Sequence, residues 1–354
     1  MSVSAPLGQR ALLASLVGSY SQPDWLVHRE VLHERLPPRV RACEFWRVPE
    51  DELEDAQRRA TLAAVDEQIA AGVDIVTDGE IRRESYSNRF ATALQGVDVD
   101  NHGTAIDRTG KAVPVPRVTG PIVWTHSAEV DYLRMLKAYT SLPVKVTLPG
   151  PFTMTQQAQN DYYPDDESLA EAYAAAVNAE VLALFAAGAD IVKLDEPYVQ
   201  ARPDQARAYA VACIDRALAG ASGITAVHVC FGYGRHVSDK PNRYEFLGGL
   251  DACAADEISI ECAQPNLDLR DLDLLPDKRV HVGVINLRDT TVETPEVVAT
   301  RIRAALEHLP PERIVVAPDC GMKYLTPEVA LGKLTSMVAG RNLVANELGL
   351  EQST

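Results

Sequence analysis

Short apolar runs, each ending in small or polar residues, alternate along this chain with longer segments of helical period, and no other feature constrains the fold as tightly. The runs are LLASLVGS (12–19), DIVTDGE (74–80), VKVTLPGP (144–151), DIVKLDEP (190–197), ITAVHVCFG (224–232), EISIECA (257–263), VHVGVINL (280–287) and RIVVAPDCG (313–321). Between them lie segments such as DDESLAEAYAAAVNAEVLALFAAGA and PEVVATRIRAALEHL, rich in Ala, Leu and Glu with apolar residues three and four apart, which is the pattern of an amphipathic helix. Eight strands alternating with helices predict an α/β fold, a (β/α)8 TIM barrel. No Ser/Gly/Pro-rich linker or shift of composition divides the chain, so residues 1–354 are expected to form a single catalytic domain. Two elaborations are expected: a helical N-terminal leader over about 24–71, and an inserted hairpin over 96–120, where two alternating runs flank an RTGK turn. The hairpin is read as a decoration of the barrel, not as part of the substrate site.

Composition narrows the function. The formal net charge of -16 opposes nucleic acid and acidic membrane surfaces, so neither is expected as a partner. No apolar run is read as reaching the ~20 residues that span a bilayer, and MSVSAPLGQR lacks a signal-peptide pattern, which predicts a cytoplasmic protein. In that reducing compartment Cys43, Cys213, Cys230, Cys253, Cys262 and Cys320 are expected as buried thiols or metal ligands rather than disulfides.

A barrel of this type places its chemistry where the strands end. His228 and Cys230, two apart at the end of the fifth run, point to one side. Glu261 ends the sixth run and Cys320 the eighth. One His, two Cys and one Glu on the same rim form a metal set, and the two thiolates favour Zn2+ over harder ions. Other strand ends add Gly18 and Ser19, whose small size admits a ligand close to the backbone, and the acidic residues Asp78, Glu80, Asp195 and Glu196. Glu80 and Asp195 are expected to face the substrate, where two carboxylates beside a metal suit an ammonium group. Asp78 and Glu196 are read equally as groups of the site or as ordinary loop starts or helix caps.

These residues resemble the catalytic C-terminal domain of cobalamin-independent methionine synthase. The resemblance runs through VGSYSQPDWL, TDGEIRRESYSNRF, LPGPFT, KLDEP, HVCFGYG, ISIEC and VVAPDCGMK, in order on successive strands. It implies a barrel carrying a catalytic Zn2+ on His228, Cys230, Glu261 and Cys320, with Ser19 against homocysteine and Glu80 and Asp195 on its amino group. The chain departs from the long members of that family in lacking a second barrel. It has Gln157 where the family places a tryptophan against the folate pterin, and Arg288 where it places a catalytic histidine.

The chain is therefore expected to be a zinc-dependent thiol S-methyltransferase that makes methionine from homocysteine through a zinc-bound thiolate. The donor is left open. An amine leaving group such as that of 5-methyltetrahydrofolate needs a general acid, which arginine cannot be, so His236 or Asp319 would serve; a methylcorrinoid, with a corrinoid protein as partner, or a sulfonium compound needs none. The rival readings are a zinc alkyltransferase acting on another thiol such as coenzyme M, with Arg82, Arg83 and Arg288 offered to its sulfonate, and a non-catalytic zinc-binding barrel that docks a partner.

Overall fold

In the computed structural model, which describes residues 6–34, 39–108, 110–234 and 236–350, seven of the eight apolar runs pair into one curled parallel sheet. In chain order the strands are β1 (Leu13–Ala14), β2 (Gln95–Ile106), β3 (Ala112–Val123), β4 (Lys145–Pro149), β5 (Gln159–Asn160), β6 (Ile191–Asp195), β7 (Ile224–Val229), β8 (Glu257–Ile260), β9 (Arg279–Ile285) and β10 (Ile314–Pro318). The parallel sheet runs β1-β10-β9-β8-β7-β6-β4. Here the expectation of eight barrel strands needs correction. The run at 74–80 forms no ladder; it contributes isolated parallel bridges, Ser15↔Ile75 and Val76↔Val144, toward the sheet's first and last strands. Its ladder stops early because Gly79 and Glu80 both take positive φ, 64° and 53°, which bends the chain out of the extended region.

Helices follow the strands because their sequences start them. Thr294-Pro295 and Thr326-Pro327 each place a capping hydroxyl and a proline at the first helical position, opening the helices Pro295–Leu306 and Pro327–Glu347. Asp165 caps Asp166–Ala186 through the Ser168 amide. That 21-residue helix is long and apolar enough to cross a bilayer by length and composition, contrary to the expectation from sequence, yet 56% of its apolar window is buried inside the protein. Its Leu169, Tyr173, Val177, Val181 and Leu184 belong to the core. The N-terminal leader forms the helix Glu50–Ala71, ended by Gly72 at φ 84°; residues 35–38 of the leader lie outside the described residues.

The inserted hairpin is present as β2 and β3, antiparallel and paired from Gln95↔Val123 to Ile106↔Ala112, with β5 added parallel to β3. A buried carboxylate helps to fasten it to the body. Glu180, on the helix Asp166–Ala186, accepts from Trp124 Nε1 (2.6 Å), Ser127 Oγ (2.8 Å), Ala128 N (3.1 Å) and Glu129 N (2.9 Å), just where the chain leaves β3. Glu180→Ala would strand these donors in the interior. We expect it to lower stability by on the order of 3 kcal/mol, read as a lower urea midpoint at unchanged slope; a midpoint equal to wild type would show that the hairpin is held by other means.

Candidate active site

Strand periodicity explains why the polar side chains meet. Successive strand residues face opposite sides, so Val192 and Leu194 of β6 join the main core while Ile191 joins a small inner layer with Leu13, Ile75, Ala226 and Val315. Lys193 and Asp195, in step with Ile191, form a buried ion pair further along the same face. Pairing carries the same parity across the sheet: Asp195 lies opposite His228, His228 opposite Ser259, and Ser259 opposite His281. The interior is thus apolar at one end of the strands and polar toward the other.

At the polar end the structure brings three of the four expected metal ligands together. One nitrogen of His228 and the sulfurs of Cys230 and Cys320 lie within 4.8 Å of one another, all buried. His228 Nδ1 is 2.9 Å from Ser259 Oγ, which orients the ring, and its buried Nε2 has no hydrogen-bond partner. The Cys320 thiol hydrogen-bonds Cys230, holding Cys230 below the ordinary thiol range and Cys320 above it, and His228 adds to the effect on Cys230. An unpartnered imidazole nitrogen beside two sulfurs offers three of the donors that a tetrahedral, borderline-soft ion takes, so these residues fit Zn2+. Glu261 stands outside this cluster. Its Oε2 is 2.7 Å from Lys240 Nζ, while its Oε1 is buried without a partner; burial holds its carboxyl well above the usual range despite Lys240.

The cavity lined by His228, Cys230 and Cys320 is also lined by Gly18, Ser19, Glu80, Asp195 and His236. Glycine at 18 has a more specific reason than admitting a ligand: a Cβ there would lie 2.3 Å from Glu80 Oε1 and 2.9 Å from Thr147 Oγ1. Glu80 is held in the left-handed region, with its amide donating to Asp78 Oδ1 (2.9 Å). Burial pushes its carboxyl up to about 7, opposed by Arg83 and reinforced by Asp195. Gly321 likewise leaves room for Ser19, whose Oγ would be 2.0 Å from a Cβ at 321. Glu196 is a cap, as one of its two expected roles allowed: it accepts from Phe152 N (3.0 Å) and Thr153 N (2.7 Å) at the start of the helix Pro151–Gln156.

Two of the residues expected to act in catalysis do not reach the cavity. Asp319 is fully buried and spends both oxygens on backbone amides, Cys262 N (3.0 Å), Ala263 N (2.9 Å) and Gln264 N (2.6 Å), so it shapes the loop that carries Glu261. Arg288 is exposed, with Nη1 3.3 Å from Ser238 O. Of the two general-acid candidates His236 lines the cavity, its ring edge-on to Tyr324 at 4.9 Å, and Asp319 does not. Sequence reasoning missed Arg39, Tyr86, Asp107, Arg108, Tyr198 and Tyr233, which complete the wall. Asp107 and Arg108 sit at the hairpin tip, so the insertion read as a decoration reaches into the site; the only signal was a charged pair beside the turn in AIDRTGK.

The description cobalamin-independent synthase, catalytic domain, belongs to the family model that matches residues 34–342. A methionine synthase of Thermococcus kodakarensis is 32% identical over 351 residues, covering 97% of this chain and 96% of its own length. One from Saccharolobus solfataricus is 31% identical over 348 residues, covering 95% of this chain and 96% of its own. Among solved structures, a B12-independent methionine synthase from Shewanella sp. W3-18-1 in complex with selenomethionine superposes with a TM-score of 0.87 at 32% identity, over 96% of this chain and 99% of that one. A methyltransferase from Methanosarcina mazei, TM-score 0.63 at 14% identity over 94% of each chain, shares the fold.

Glu80 titrates in a testable direction. Its folded value of about 7 lies above the ordinary 4.5, so the folded protein keeps a proton that the unfolded chain releases, and stability drains away as pH rises through that window. Glu80→Gln has no such proton. Its stability relative to wild type should therefore rise by on the order of 2 kcal/mol between about pH 4.5 and about pH 7.5, and parallel urea curves for the two proteins across that range would contradict the assignment.

Proposed function

Since the chain belongs to the cobalamin-independent methionine synthase family, in the catalytic-domain type, and is a methyltransferase, we propose that it moves a methyl group onto the sulfur of homocysteine, giving methionine. The observation that carries this is one cavity lined by both a His/Cys/Cys cluster and two carboxylates, Glu80 and Asp195. A thiol amino acid presents complementary groups: a sulfur for the cluster and an ammonium for the acids. His228, Cys230 and Cys320 would hold Zn2+, with Glu261 as fourth donor through the oxygen that Lys240 leaves free. When bound, the ion supplies the positive charge that keeps the substrate's sulfhydryl deprotonated at neutral pH.

The chain's own residues do the rest. Glu80 and Asp195 anchor the amine, and Ser19, buried beside Gly321, abuts the amino acid. Tyr233 and Tyr198 pack the walls and exclude water. In the transfer, a sulfur–carbon bond forms as the bond between methyl carbon and donor breaks, its electron pair leaving with the donor. Where the leaving atom is an amine nitrogen, His236, which lines the cavity, would give it a proton. Holding sulfur and methyl in line supplies acceleration through positioning. The donor is 5-methyltetrahydrofolate or a methylcorrinoid, and an assay offering each in turn with homocysteine decides between them.

Cys320→Ala should abolish both tightly bound zinc, measured by elemental analysis, and methylation of homocysteine; full activity without metal would end this reading. Asp195→Asn should keep zinc and raise the KM for homocysteine about tenfold. An unchanged KM would remove Asp195 from the amine site.

A further inference from the structure

Two guanidinium groups, those of Arg39 and Arg108, line the active-site cavity. Arg39 comes from the N-terminal leader and Arg108 from the hairpin tip, so both approach from outside the parallel sheet. Neither forms an ion pair with a carboxylate among the described residues, and Arg39 Nη1 is buried with no hydrogen-bond partner at all. Elsewhere the buried cations have oxygen partners: Lys193 pairs with Asp195, Lys240 with Glu261 and Arg279 with Glu257, while Lys145, Lys278 and Lys323 donate to carbonyl, hydroxyl or amide oxygens. An unpaired buried charge is costly. Both arginines are half-buried and neither meets a carboxylate, Arg108 facing instead the thiols of Cys230 and Cys320, so a counter-charge for the pair is free to arrive with a ligand.

The surroundings hold both groups in place. Arg39 lies over the ring of Tyr86, 5.3 Å from its centroid, and Arg108 over the ring of Tyr198 at 5.2 Å. Tyr86 is in turn fixed by its hydroxyl, which accepts from Gln157 Nε2 at 2.8 Å. Gly232, at φ 109°, has no side chain where one would collide: a Cβ there would lie 2.7 Å from Arg108 Nη1. Arg202 Nη2 reaches Ile106 O (3.4 Å) and Asp107 O (3.5 Å), tethering the tip that carries Arg108. Arg108 and Cys230 also border a second groove, with Gln200, Phe231 and Ser238.

Resting on the proposed methyl transfer to homocysteine, we infer that Arg39 and Arg108 form an anion-binding pair that selects the methyl donor, taking one that carries a carboxylate or phosphodiester and rejecting a cationic sulfonium. On that reading Glu80, Asp195 and Ser19 hold the thiol amino acid, which leaves the two arginines of the same cavity to the donor. Their charge attracts an anion there and repels a sulfonium by the same interaction.

The test is binding of three donors by equilibrium dialysis, 5-methyltetrahydrofolate, methylcobalamin and trimethylsulfonium, to the zinc-loaded wild type and to Arg39→Gln, Arg108→Gln and Arg108→Lys, with homocysteine affinity measured beside them. Methylcobinamide, which lacks the phosphodiester, separates that group from a carboxylate as the feature read. In the wild type a donor carrying an anionic group should bind and trimethylsulfonium should not. Each glutamine variant should weaken that donor about tenfold or more, with the lysine variant in between and homocysteine affinity within about twofold of wild type. Donor affinity unchanged in both glutamine variants, a loss confined to homocysteine, equal binding of trimethylsulfonium, or no binding of either donor with an anionic group would each overturn the inference. Wild-type protein that binds such a donor but methylates no homocysteine would instead sink the proposed function and leave the anion site standing.

Discussion

The register between neighbouring parallel strands is the constraint on which the site depends. Asp195, His228, Ser259 and His281 stand opposite one another across β6 to β9 because each pairing is in step with the next. A slip of one residue in any of these strands would turn its polar side chain into the helical layer and a valine or isoleucine into the cavity. The apolar residues thus do more than fill the core. Val192, Leu194, Val227, Val229, Ile258 and Ile260 fix the register by needing the helix side, and the opposite parity delivers His228 and Ser259 to within 2.9 Å of each other.

A second constraint is the crowding of carboxylates that this parity forces inward. Three glycines relieve it, each where a Cβ would strike an acid from a neighbouring segment: Gly18 against Glu80, Gly150 against Glu196 and Gly283 against Asp319. The three acids then differ in what they do. Glu80 keeps its carboxyl free in the cavity, Glu196 starts a helix, and Asp319 gathers three amides behind Glu261. Residue type was common to all three, and their partners decide which of them meets a ligand.

Much of this was legible in the chain itself. The eight apolar runs located seven ladder strands, because apolar residues facing both an inner layer and a helical layer leave a dense, short signature. HVC and PDCG at strand ends pointed to the cluster of His228, Cys230 and Cys320, since strand ends share one rim. The run at 74–80 misled because DIV has strand composition while the positive φ at Gly79 and Glu80 is a property of the folded turn. Asp319 and Arg288 misled for a related reason: position after a strand gives no information on which way a side chain turns or what it finds there.

The sequence by itself determined the alternation of strands and helices, the parity of each strand, and so the face on which His228, Cys230, Asp195 and Glu261 emerge, because these follow from local periodicity. Tertiary structure alone decided which acids are occupied by amides or by Lys240, and that the hairpin tip folds over the cavity to bring Arg108 opposite residues more than a hundred positions away. Local pattern governs direction along an element; long-range packing governs which directions converge.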